Sequence, residues 1–427
     1  MKVDLKNTMI KVTFICLVMF CFTSIFSLLS ARLNNPIIKL WKEIIVVLYY
    51  FMTIFYVFLA RKSTLKKIVV CVFLPAFIIV LYLITALGNP LILVFYQVKS
   101  DLIPFFFVVG LIAVIDDSKD AFLVYYKLVK TLIIVGVINF ALIIIQKIFT
   151  EWFMLFLQID DFNNSSRGSG LRLDNVNESL RAMGSFTTFI ASGTLMVICF
   201  ILVNEVKLYK RWLRLSLSVM FLAGAIATTY KTAIIGIALY LLIKLIIYFF
   251  QGNRGIKNTT IIIYTICVFF STCFAFNNYF LYNQLKSTSV HDLAYSSIYI
   301  RVKQHSDIYW DVEKSNLITG VGIGVNGTEG PDGFKSSSKA LDSTYVNILS
   351  NYGLLGVILY LSILFAIMLT ITAREQSVGE NTALMLLLYH LSIEFFTNNI
   401  LMNFPLNLFF YIFVAFPIFY KDIKKIA

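Results

Sequence analysis

Long apolar runs separated by short polar connections constrain this chain more than any other feature. They lie near residues 9–30, 42–60, 67–87, 91–115, 127–149, 185–204, 211–228, 232–250, 259–277, 352–372, 382–398 and 403–420. A hydrocarbon core of about 30 Å needs roughly 20 apolar residues in a helix, and about twelve stretches meet or approach that length. The chain is 59% hydrophobic and only 14% charged, well outside the balance of soluble domains. The expected fold is all-α: a polytopic transmembrane helix bundle of about 12 spans, with residues 1–427 as a single integral membrane domain. The run that begins at Met9 and ends near Leu29 is span-length and lacks a small-residue cleavage site, so it reads as the first span. Lys99, Asp101 and Pro104 interrupt the fourth run. That run is either one kinked helix or a surface segment followed by a short span.

Charge sets the orientation. Lys and Arg number 36 against 23 Asp and Glu, a net charge of +13. In a soluble protein this would point to nucleic acid; here the inner flanks of the spans absorb it, and nucleic-acid binding is a poor reading. Lys2, Lys6 and Lys11 precede or open the first run, and "RKSTLKK" (61–67), "KLYKRWLR" (207–214), "GNRGIK" (252–257) and "KDIKK" (421–425) follow runs two, six, eight and twelve. All of these fall on one face, and short basic loops stay in the cytoplasm. Both termini are therefore expected in the cytoplasm, in a multi-pass protein of the cell membrane. Cys16, Cys21, Cys71, Cys199, Cys267 and Cys273 all fall inside apolar runs, where they read as core-filling residues.

Two connections are long, 150–181 and 278–343, and both fall on the outer face, the second between spans 9 and 10. Loops of this length are usually functional. Within the second, Ile298, Val302, His305, Tyr309 and Val312 recur with helical period. Such a stripe fits a helix lying at the membrane interface or one packed on the loop's own core. The outer side carries few cations. Arg167, Arg172 and Arg181 lie in the first loop, Lys231 in the tight turn of "ATTYKTAIIG", and Arg301 on the amphipathic stretch. Singly, each reads as a side chain snorkelling to lipid phosphates. Together they point to an anion site at the outer surface, because Arg matches phosphate oxygens bidentately and Lys adds a point charge. Asp342 ends the second loop, and His390 and Glu394 sit four apart on one helical face. An ionisable pair inside a membrane is either functional or a hydrogen-bonded packing device. His291 and His305 lack a second ligand nearby, so no metal is expected. Gly320, Gly322, Gly324 and Gly327 have no preceding strand, which rules out a nucleotide fingerprint. Glycines there let the backbone turn tightly or approach a ligand closely.

The order of these features resembles the O-antigen ligase and O-antigen polymerase family. "GVGIG" followed by "DSTY" and "GLLG" is similar to its loop-to-span junction. "LRAMGSFTTFIASGTL" resembles its Arg-x-x-Gly-x-Phe entry to a span, with Arg181 and Gly184 in the motif. "TTYKTAIIGIAL" resembles its Ser-Arg-Thr-Ala turn with Lys231 in place of Arg, and Arg301 falls in its Arg-to-Gly-x-Gly-x-Gly segment. The likeness covers the chain from Arg181 onward. Ligases of the family show His-Asn where this chain has Asp342-Ser343, which tilts the reading toward repeat-unit polymerases.

The resemblance implies a polysaccharide polymerase that joins polyprenyl-pyrophosphate-linked oligosaccharides at the outer face of the cytoplasmic membrane. Arg181, Arg301 and Lys231 would stabilise the departing pyrophosphate without a metal or other cofactor. Asp342 is the first choice of base and Glu394 the second. Arg172, Tyr345, His390, Gly322 and Gly324 complete the expected binding set, Tyr345 by stacking on a sugar or by packing. The partners implied are the lipid-linked donor and acceptor, membrane lipids and a chain-length regulator. The polymer would be O-antigen, capsule or exopolysaccharide. The alternatives are an O-antigen-type ligase and a glycan-lipid flippase or transporter.

Overall fold

Helix is the regular structure that every apolar run adopts. The computed structural model describes residues 2–33, 38, 40–59, 65–85, 88–116, 118–157, 173–176, 179–249, 258–270, 272, 293–326, 343–374, 377–394 and 403–420. In chain order the first helices are α1 (Lys2–Phe20), α2 (Thr23–Arg32), α3 (Trp41–Leu59), α4 (Leu65–Ile68), α5 (Leu74–Thr85), α6 (Leu91–Val114), α7 (Ser118–Ile148) and α8 (Thr150–Leu157). A two-stranded hairpin follows, β1 (Asn175–Val176) with β2 (Ser179–Leu180). Next come α9 (Phe189–Val206), α10 (Arg211–Ala227), α11 (Lys231–Phe249) and α12 (Asn258–Phe270). The chain continues with α13 (Leu293–Ser315), α14 (Thr344–Thr372), α15 (Val378–Ile393) and α16 (Leu406–Phe419).

Six helices among the described residues are long and apolar enough to cross a membrane: α3, α6, α7, α9, α11 and α14. The pair Leu5–Phe20 and Thr23–Ser30, bent by 66°, makes a seventh if it is one span. Val69–Ile84, Asn258–Phe270 and Leu406–Phe419 are apolar but shorter. The chain is thus a helical membrane protein. The interrupted fourth run is a single helix, with Pro104 inside it. The fifth begins earlier than its apolar run, at Ser118, because a helix is free to carry Lys119, Lys127 and Lys130 beyond hydrocarbon.

Helix α9 is the hub. Its sequence is apolar all round, the pattern of a helix with no lipid face, and it packs on α7, α10, α11, α15 and α16. Helix α3 shows the opposite design. Val46, Tyr49, Thr53, Tyr56 and Val57 form a buried stripe, while Phe51, Phe55 and Phe58 are exposed on the other side. In lipid such exposure has little cost. Helix α14 presents Leu354, Leu355, Ile358, Leu359 and Ile363 outward in the same way.

Two breaks interrupt the helices. Pro75 lacks an N–H and crowds the carbonyl of Cys71, so Val69–Phe73 widens into a π-helical turn. The Tyr50 hydroxyl donates to that freed Cys71 carbonyl. In α14, Gly353 adopts φ 63° and ψ −163° and splits the helix, leaving a short segment that begins at Thr344 ahead of the long apolar part. Residues 317–321 fill this break. Leu354 and Leu355 donate to the carbonyls of Leu317 and Ile318 at 3.0 and 3.2 Å, and Val321 donates to the Ser350 carbonyl at 2.8 Å.

One end of the bundle is tied by charge. Lys6 and Lys67 both pair with Asp116, Lys6 at 2.9 Å, and Lys6 also reaches Asp120. The two basic segments that the sequence places on one face therefore meet on one carboxylate. Arg374 caps the end of α16 at the Pro417 and Ile418 carbonyls, and Tyr420 donates to the Ile112 carbonyl at 2.7 Å. This basic end gathers the termini of α6, α14 and α16. The opposite end holds Lys231, Thr344 and Glu394.

The expected stripe in the second loop lies on α13. Val302, His305, Ile308 and Val312 are buried, and Ile308 and Val312 pack with Val346 of α14 against Val321 and Leu349. This is core packing within the loop-to-span junction.

A β-carbon on Gly353 would meet the Ile318 carbonyl, which is backbone and cannot step aside. Replacing Gly353 with Ala should lower the melting temperature of the purified protein, with roughly 1–2 kcal/mol from the left-handed conformation alone. Gly88, also at positive φ but with nothing within 4 Å, should tolerate Ala better in the same measurement. Burial pushes the Asp116 carboxyl up, but hydrogen bonds and charge from Lys67 and Lys6 outweigh it and hold it below the ordinary 3.8. A lowered folded-state value means its contribution is present at neutral pH and lost as pH falls below about 4. Asp116→Asn should therefore flatten the acid limb of a stability–pH profile.

Candidate functional site

The motif around Arg181 enters α9 through a backbone held by α7. Gln146 accepts from the Met183 and Gly184 amides at 3.0 and 2.8 Å and donates to the Gly184 carbonyl at 2.9 Å. One turn-pair earlier on α7, Asn139 accepts from the Ser185 amide at 2.8 Å and donates to the Ser192 hydroxyl at 2.8 Å. Ser24 of α2 adds bonds to the Ser185 carbonyl. Gly184 has φ 56°, and any β-carbon there would occupy the place of the Asn139 carboxamide. The glycine of the Arg-x-x-Gly motif is thus fixed by backbone geometry.

Arg181 itself begins where the hairpin ends, its amide donating to the Asp174 carbonyl at 2.9 Å. Its guanidinium lies over the Phe189 ring at 4.5 Å, a cation–π contact. Phe189 in turn meets Tyr230 edge-on, with centroids 5.6 Å apart. Lys231 follows Tyr230 as the exposed first residue of α11, after Thr229 turns at φ 55°. Arg181 and Lys231 therefore flank one edge-to-face pair of rings, Arg181 over Phe189 and Lys231 next to Tyr230 in the chain. Arg301 lies on α13, but its side chain falls outside the described residues, as do Arg167, Arg172, His291, Gly327, Cys273 and Asp342.

A second set forms where α14 begins. The Thr344 amide donates to the Glu394 carbonyl at 3.0 Å, and the Thr344 hydroxyl donates to the Glu394 carboxylate. The other Glu394 oxygen stands 3.7 Å from His390 Nδ1, and His390 Nε2 bonds the Tyr360 hydroxyl. Tyr345 donates to the Leu391 carbonyl at 3.2 Å and packs edge-on to Tyr360. His390 and Glu394 are fully buried. The pair therefore fastens the end of α15 to the start of α14, immediately after Asp342 in the chain. Tyr345 is likewise engaged in packing.

Tyr389 connects the two sets. Its ring closes on Gly236 of α11, and it stands within electrostatic reach of both Tyr230 and Glu394. Gly320, Gly322 and Gly324 all have positive φ. A β-carbon on Gly322 would strike Asn89, and one on Gly324 the Leu93 carbonyl, each at 2.5 Å. Gly324 also donates to Asn351 at 3.0 Å. These glycines serve close backbone packing against α6 and α14.

Sequence reasoning passed over Asn139, Gln146 and a polar cluster on α6. There Asp101 accepts from Tyr82 at 2.8 Å, from Gln97 at 3.0 and 3.1 Å, and from Tyr352 at 3.3 Å. The signal was available: amides and a carboxylate inside apolar runs carry the same warning as an intramembrane ionisable pair.

Compared with family models and with curated proteins, the chain matches none of them. The geometry itself therefore carries the functional reading.

Replacing Asn139 or Gln146 with Leu should cost about 1–3 kcal/mol for each buried group left without a partner. The double substitution should also free the Arg181 segment, read as faster amide exchange over residues 182–186 in the purified protein.

Proposed function

We propose that the chain is a polysaccharide repeat-unit polymerase acting at the outer face of the cytoplasmic membrane. The observation that supports this best is that Arg181 and Lys231 flank the Phe189–Tyr230 ring pair, with Arg181 set by a built backbone support. On this reading the six long spans, the bent pair, the three shorter apolar helices and α10 and α15 make about twelve crossings, with the basic end in the cytoplasm. The opposite end, with its two long loops, faces outward.

The reaction is a glycosyl transfer. A hydroxyl oxygen of the acceptor repeat bonds to the anomeric carbon of the donor while the bond from that carbon to the pyrophosphate oxygen breaks. The electron pair leaves with the pyrophosphate, whose growing charge Arg181, Lys231 and Arg301 stabilise. Arg172 adds to the same anion field. The hydroxyl proton passes to a carboxylate, Asp342 first. Glu394 stands second, since it is buried and already bonded to Thr344. Its service to the reaction is to hold Thr344 at the start of α14, with His390 behind it. No metal or cofactor enters this scheme. The polymer is an O-antigen, capsule or exopolysaccharide, and a chain-length regulator is the natural protein partner.

A transporter reading has one feature in its favour, the break in α14, because broken helices line midplane sites in carriers. Here the groups freed at Gly353 are bonded to residues 317–321, which leaves the break filled. The ligase alternative differs only in the acceptor and would leave intact polymer on its carrier when the gene is deleted.

Arg181→Ala and Arg301→Ala should each abolish long-chain polymer on a gel of surface glycan while membrane insertion stays normal. Loss of one transition-state donor costs about 10²–10³ in rate. Polymer of normal length in both variants would end the proposal. A flippase variant would instead trap single repeats on the inner leaflet.

A further inference from the structure

We infer that Asp101, with Tyr82 and Tyr352, forms a saccharide-hydroxyl subsite at the helix break. As a place for the acceptor sugar it rests on the polymerase reading; as a glycan-binding site it stands by itself.

The argument begins with cost. A carboxylate placed within an apolar helix is expensive and is retained where it serves a site. Asp101 is only half-buried, and so are Tyr82, Tyr352 and Tyr411, so the cluster is not sealed in the core. Its donors are two phenols and one carboxamide, all neutral. Among the described residues Oδ1 accepts from Gln97 alone, at 3.1 Å. An ionised carboxylate has about four lone-pair sites, so this oxygen has room for a further donor.

The surroundings select the kind of donor. Gln97 turns its amino group toward Asp101, and an N–H donor repels a metal cation. At the nearby break the Ser350 carbonyl, which a cation could use, already accepts from the Val321 amide. Hydroxyl groups suit the place better, because they can donate both to the carboxylate and to the remaining lone pairs of the phenol oxygens. The rings of Tyr82 and Tyr352 stand edge to face, 6.4 Å apart, and offer the aromatic wall on which a sugar's C–H face packs.

Position agrees with the proposed chemistry. Tyr352 is the residue before the Gly353 break, and Asp101 is bonded to it, so the cluster is anchored to the same helix start that carries Ser343 and Thr344. Tyr411 of α16 lies within electrostatic reach of both Asp101 and Glu394. The cluster thus neighbours the Glu394 set through Tyr411.

The test uses the full chain in nanodiscs and three probes: the methyl glycosides of a neutral hexose, an N-acetylhexosamine and a hexuronic acid. Saturation-transfer NMR should detect the two neutral glycosides with millimolar affinity, and the hexuronate, repelled by Asp101, at least tenfold more weakly. Asp101→Asn should weaken the neutral glycosides at least tenfold and remove the discrimination against the hexuronate. Tyr82→Phe and Tyr352→Phe keep the rings and the fold and should each weaken binding several-fold, which guards against misfolding of the Asn variant. Arg181→Ala should leave all three affinities unchanged. Absence of glycoside binding by the wild type, or unchanged affinity in all three cluster variants, overturns the inference. So does stabilisation of the wild type by sodium over choline that Asp101→Asn abolishes, since that marks a cation site. Glycoside binding through Asp101 combined with normal polymer in both Arg181→Ala and Arg301→Ala would keep the subsite and remove the polymerase reading.

Discussion

In hydrocarbon a backbone amide or carbonyl has no water to turn to, and each one left without a partner costs several kcal/mol. This constraint shapes four departures from helix among the described residues. The bend after α1 is tied by Ser24 to the Ser185 carbonyl, and the π-turn before Pro75 by Tyr50. The Gly353 break is filled by residues 317–321, and the entry to α9 by Asn139 and Gln146. Each repair recruits a residue distant in sequence, so the irregular segments are also the places where the bundle is knitted together.

Two of these repairs stand directly at the candidate site. The Arg181 segment and the start of α14 are non-helical or broken, yet each is held by side chains from another helix. Irregular backbone at membrane depth persists only where protein covers it or a cavity needs it. The arrangement fixes the positions of Arg181 and Thr344 without relying on the long loops that precede them. That is the supporting architecture a reaction between two bulky glycans requires, because the loops must admit substrate while the reacting groups stay in place.

How far this was legible in the sequence depends on the period of each signal. Apolar runs announce helices directly, and the clustering of Lys6 and Lys67 followed from charge counting. Gly184 and Arg181 were visible because a short motif keeps them adjacent. The role of Gly184 was not, since it depends on Asn139, which no local pattern links to it. The same holds for Gly322 and Gly324, where ligand approach and tight packing predict the same residue and only the position of Asn89 and Leu93 decides. On α13 the expected Val302, His305 and Val312 are buried, and Ile308 joins them in the core cluster beside a half-buried Tyr309, because the packing surface of α14 chooses the centre of the face. Asp101 was seen only as an interruption of a span. A window of hydropathy treats a charge as noise, whereas its hydrogen bonds to three other residues make it a node.

The distribution of charge across the far end has a further consequence for the proposed reaction. Arg181 and Lys231 sit on the α9–α11 side, and Asp101 and Glu394 on the α14–α16 side. A diphosphate carries negative charge of its own, and at an effective dielectric of about 20 two like charges 10 Å apart repel by roughly 1.7 kcal/mol. Under the proposed reaction the donor's leaving group would be attracted to one side and kept from the other. A neutral acceptor hydroxyl would feel no such repulsion and would gain from a carboxylate that accepts its proton. Exchanging donor and acceptor would set diphosphate against carboxylate, so under that proposal the charges that favour the leaving group would also sort the two substrates before they react.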